Sequence, residues 1–236
     1  MIKKLILSAL LVLSLVGMVR AEESKPLQLA LFNPCQLVPE NESIKGASLG
    51  LIYAANKDVT GLSFVFFGVN KATGDVQGVE WGLGNWVEGS LYGWQGGFVD
   101  RVGARFVGLQ GGILDITKGD LTGVQLGAVN WAEEYVHGAQ LGLFNYSTGR
   151  FIGFQGGAVN VSKGQFSGAA LGIVNYAEGP VTGFQGGIVN SAGEMHGFQL
   201  GLVNYTKSLD GLQIGLCNYN GNKKPMEFMV FANWSF

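Results

Sequence analysis

The sequence predicts an all-β fold: a transmembrane antiparallel up-and-down β-barrel of about fourteen strands with short turns, the alternative being a parallel β-solenoid of 15-residue coils. Three observations predict it. A unit of the form Gly-x-Gln-x-Gly-x-x-Asn recurs along most of the chain, as GWQGGFVD at 93–100, GFQGGIVN at 183–190 and GLQIGLCN at 211–218. Apolar residues within each unit alternate with period two, and the repeated glycines would each cost up to about 1 kcal/mol in a helix interior. Between the units lie short polar segments such as STG, SKG and AEG, which have the residue chemistry of tight turns.

Taken in chain order, residues 1–21 read as a signal peptide. Lys3 and Lys4 precede an apolar run at 5–19, and Val19-Arg20-Ala21 supplies a cleavage site. The run is shorter than the 18 or more residues of a spanning helix. Residues 22–236 then form one β-repeat domain, because the repeat leaves no boundary inside it.

The glycines that open the units fall at Gly78, Gly93, Gly108, Gly123, Gly138, Gly153, Gly168 and Gly183, each fifteen after the last, then at Gly197 and Gly211 at steps of fourteen. Less regular copies open at Gly46 and Gly61. Candidate strands run from 27–34 and 44–54, through ten further segments, to 209–219 and 226–236.

Two arrangements fit a repeat of one strand per unit. A solenoid would stack Asn130, Asn145, Asn160, Asn175, Asn190, Asn204 and Asn218 as an amide ladder. A finer alternation favours the barrel. Residues after the Asn read Tyr146, Val161, Tyr176, Ser191, Tyr205, and unit centres read Leu141, Gly156, Leu171, Gly186, Leu200. A period of two units is what antiparallel hairpins predict.

On the barrel reading, Phe198, Leu200 and Leu202 face lipid in a representative strand. An unpaired amide in hydrocarbon is costly, so Gln95, Gln110, Gln125, Gln140, Gln155, Gln185, Gln199 and Gln213 are assigned to the lumen, which their neighbouring glycines leave sparsely filled. The inverse assignment packs the Leu face inside a soluble β structure. Cys35 and Cys217 would meet at one rim on closure and could form a disulfide.

The last segment, MEFMVFANWSF, alternates apolar residues and ends in an aromatic. With the repeat, it resembles the repeat-bearing bacterial outer-membrane and surface proteins, over roughly residues 78–236. The resemblance implies an envelope location in the bacterial outer membrane. Phe228, Trp234 and Phe236 would serve as an assembly signal, with outer-membrane lipid and the outer-membrane assembly machinery as partners.

Composition and motifs give no chemistry. The chain is 47% hydrophobic and 14% charged with net charge -2, which disfavours a nucleic-acid surface. His137 and His196 occupy equivalent rim positions, Asp100 and Asp115 fill the Asn slot and read as solvated strand ends, and Glu133-Glu134 reads as a turn. The glycines of GLGNWVEG lie within a strand and its turn, so they make no phosphate loop. The expectation is a protein that is not an enzyme and uses neither metal nor cofactor, acting as a passive pore or structural surface protein. The alternative is a surface-attached or secreted solenoid adhesin or scaffold.

Overall fold

The computed structural model describes residues 24–236, so the signal-peptide reading of 1–21 lies outside the described residues. The chain winds as a parallel β-solenoid of about 13 turns and does not close into a barrel. With about 4.8 Å between stacked strands, the stack is roughly 60 Å long.

One coil shows the plan. Phe106–Gly111 forms its first strand and Leu114–Thr117 its second, with a sharp corner between them. The first strand pairs in parallel with Leu91–Gly96 below and Leu121–Leu126 above. The second pairs with Val99–Val102 and Val129–Ala132. In the coils at Val136–Ser147 and Phe151–Ser162 the two strands run on as one, bent at the corner.

The barrel expectation is therefore corrected. Gly183 stacks on Gly168 and Asn190 on Asn175, both in parallel register, whereas a barrel would have placed Gly168 beside Asn190. The two-unit alternation has a packing cause. Phe154 lies over Gly156, where an added Cβ would stand 2.8 Å from the Phe154 ring and 2.9 Å from the Leu141 side chain of the adjacent coil. Phe184, Gly186 and Leu171 repeat the arrangement. Large rings next to glycines thus alternate with coils carrying Leu, a fit of volumes between neighbours and not a sign of strand direction.

The opening glycines have a backbone reason. Gly123 takes φ 138 and Gly183 φ 132, and a Cβ on either would overlap the carbonyl oxygen of the glycine one coil below. Only glycine relieves both the dihedral and the close approach.

The ends are closed differently. Lys25–Phe32 pairs in parallel with Ile44–Gly50 and turns back through Cys35–Gln36. The Gln28 amide brackets Val38 there, donating to its carbonyl at 2.8 Å and accepting from its N–H at 2.9 Å. At the other end Phe228–Ser235 folds back antiparallel over the last coil. Phe228, Trp234 and Phe236 belong to or follow this closing strand and are exposed. Cys35 and Cys217 are both exposed free thiols, one in the first hairpin and one in the last coil, and the disulfide that barrel closure would have allowed is not formed. Stacking puts Lys25–Phe32 and Phe228–Ser235 at opposite ends of the described stack.

Candidate functional site

Inward-facing residues fall in four columns. Counted from the opening glycine, they sit two residues before it and two, seven and nine residues after it, as Phe106, Gln110, Asp115 and Thr117 do in one coil. The gap of five between the second and third columns is odd. A flat strand would turn the third outward; the corner reverses the phase and brings it in.

The Gln column is an amide ladder. Gln110 donates to Gln95 at 2.9 Å, Gln125 to Gln110 at 2.9 Å, Gln140 to Gln125 at 2.8 Å and Gln155 to Gln140 at 2.8 Å. Ala170 interrupts it, and Gln199 to Gln185 and Gln213 to Gln199 resume it at 2.7 and 2.8 Å. Gln95 donates to Glu80 at 2.8 Å. All eight glutamines assigned to a lumen are buried in a packed interior. There is no lumen for them to line.

The Asn column runs the other way. Asn130 donates to Asn145 at 2.7 Å, and Asn145, Asn160, Asn175, Asn190 and Asn204 continue to Asn218. Direction is fixed by a second bond, since Asn145 Nδ2 also donates to the Gly156 carbonyl at 3.0 Å. Asp100 and Asp115, read from the sequence as solvated ends, are 0% exposed members of this column. Burial is the main cause that pushes both carboxyls up to about 7, and it does the same to Glu80.

The outer surface is sorted as strictly. From the opening glycine through the corner, no exposed charged side chain occurs in any coil from Gly46 to Cys217. The corner instead carries Phe67, Phe98, Ile113, Leu143, Ile173 and Leu202, all exposed, Leu143 at 68%, with half-buried Ala128 and Ala158 at the same position in their coils. Exposed charges collect on the turns of the opposite edge, where Arg105 meets Asp120 at 3.5 Å and Lys163 meets Glu178 at 3.0 Å. Between the edges, the outer face of the second strands carries Trp86, Trp131, Tyr146, Tyr176, Tyr205 and Tyr219. Trp131 packs on Tyr146 with centroids 4.4 Å apart, and Tyr205 on Tyr219 at 5.2 Å.

His137 and His196 sit one residue before opening glycines, and His196 lies 3.3 Å from Asp210 on the surface. Among the described residues no group of three His, Cys, Asp or Glu is placed to hold a metal ion. Compared with known protein families, curated proteins and solved structures, the chain has no significant match.

Proposed function

We propose that the chain is an exported, surface-attached β-solenoid scaffold without a catalytic role, lying along a lipid bilayer on its apolar edge. One observation carries this reading: the uncharged, exposed apolar corner is repeated in register from coil to coil. Parallel sheets seldom leave a face open, and an apolar strip along most of a 60 Å stack exceeds the patches that soluble monomers expose. A bilayer is the occupant that fits the sorting. Apolar corners lie on one side and charged turns on the other, with a column between them in which Tyr and Trp outnumber Lys71 and Arg101, the order that polarity takes across a membrane interface. The pore reading falls with the barrel.

Flotation of the purified chain with phosphatidylcholine vesicles tests the proposal. The chain is expected to rise with the vesicles whether salt is low or high, since the edge bears no charge. Leu143→Arg combined with Ile173→Arg and Leu202→Arg is expected to leave it in the dense fraction while it stays folded. Failure of the unaltered chain to float, together with a dimer in size-exclusion chromatography that the three arginines dissociate, would show instead that a second copy covers the edge.

A further inference from the structure

The Asn ladder has one interruption that the rest of the column explains. Each Nδ2 donates to the Oδ1 of the next coil, as Asn70 does to Asn85 at 2.8 Å and Asn85 to Asp100 at 2.6 Å. Aspartate has oxygen where asparagine has that donor. At Asp100 and Asp115 the chain of donors therefore stops, and four buried oxygens are left without a hydrogen-bond partner: Asp100 Oδ2, both carboxyl oxygens of Asp115, and Asn130 Oδ1. Beyond Asn130 the ladder resumes at full length.

These four atoms alternate in role along the column. Asp100 Oδ2 and one oxygen of Asp115 occupy donor positions; the other oxygen of Asp115 and Asn130 Oδ1 occupy acceptor positions. We propose that Asp100 and Asp115 form a buried site for two protons, one donated from Asp100 to Asp115 and the other from Asp115 to Asn130, which restores the ladder across the gap. Asn130 is an independent pointer to this ligand. It is not acidic, is 0% exposed, and its acceptor has no other donor to meet.

Among the described residues no competing cation faces the pair. Arg101 lies outside, 5.2 Å from the Trp86 ring centroid, and Arg105 faces Asp120 on the charged edge. Asn85 and Asn130 flank the pair in the column, and Glu80 is a further buried acid, which feels the charge of Asp100. A carboxylate here combines desolvation with repulsion from its neighbour, and these outweigh the backbone contacts of Gly97 with Asp100 and of Gly112 and Leu126 with Asp115 that favour the charge. Burial holds both carboxyls near 7, against an ordinary value of 3.8, so the folded chain binds more protons than the unfolded chain between those limits. The contribution to stability is accordingly complete below the unfolded value, is lost as pH rises through about 7, and is constant above it. This holds whatever surface the solenoid rests on.

Urea unfolding of the chain from pH 3 to pH 9 tests the site, in an E80Q background that removes the third buried acid. The unfolding midpoint is expected to fall as pH rises from about 4 to about 7 and then level off. Adding D100N and D115N supplies the missing donors, and the midpoint is expected to become flat across that window. A flat profile with both aspartates present, or an unchanged slope in the asparagine variant, would overturn the proposal. Should the asparagine variant fail to fold, a potentiometric titration of the native E80Q chain against the same chain in urea reads the result directly. About two extra protons bound by the native form near pH 5.5 supports the site, and none refutes it. A midpoint at pH 8 raised by added calcium ion would assign the gap to a metal cation instead and refute it as well.

Discussion

The two edges of the solenoid are built on opposite plans. Under the apolar edge the interior is polar, filled by the Gln and Asn ladders; under the charged edge it is apolar, filled by Leu91, Phe106, Leu121, Phe151, Phe166 and Met195. Burial of side chains therefore cannot be read from the polarity of the nearest surface. An amide column satisfies itself by stacking on its own copies, so it needs no water and can sit behind an apolar skin. An apolar column has no such requirement and is held by burial alone, with neighbouring rings such as Phe151 and Phe166 stacked at 5.1 Å.

Substitutions can break that contrast at graded cost. The two largest effects, similar in size, should come from the backbone position the two halves share and from the apolar column. Gly123→Ala combines a strained dihedral with an overlap onto the Gly108 carbonyl, and is expected to lower stability by roughly 3 to 5 kcal/mol in urea unfolding. Phe151→Ala, under the charged edge, should leave a cavity worth about 3 to 5 kcal/mol. Asn160→Leu, under the apolar edge, keeps the branching of the side chain but removes one acceptor from Asn145 and the donor to Asn175, which should cost about 2 to 3 kcal/mol. If Asn160→Leu proved neutral while Phe151→Ala did not, the amide columns would be filler and the contrast between the halves would fail. The smallest effect belongs to the outer charges. Lys163→Ala removes an exposed pair with Glu178 and is expected to leave the unfolding midpoint where it was.

Much of this was open to reading in the sequence, and the reasons for the rest are specific. The fifteen-residue repeat, its β character and the glycine at its head follow from composition and period. The inward direction of the glutamines follows from the cost of an unpaired amide. Strand direction was the point of failure. The alternation of Leu141, Gly156, Leu171 and Gly186 reads equally as hairpins or as volume matching between parallel coils, and only the pairing itself, with Leu141 beside Gly156 in parallel register, distinguishes them. A usable signal was nevertheless present. Gln199 and Asn204 are five residues apart, so one flat strand cannot bury both; a corner can. Taking the unit as straight placed Asn204 outward and, by the same step, made buried Asp100 and Asp115 into solvated ends. The possible pairing of Cys35 with Cys217 loses its basis in the same way, since it rested on closure.

The coils that open at Gly183 and Gly197 are one residue shorter than those before them, yet Gln199 still stacks on Gln185 and Asn204 on Asn190. The loss is absorbed at the charged turns, which no column crosses. Each unit thus adds one layer of about 4.8 Å and depends only on the layers it touches. The molecule behaves as a ruler: duplicating or removing whole units would change its reach in fixed steps while leaving its cross-section, and the surface it presents, as they were.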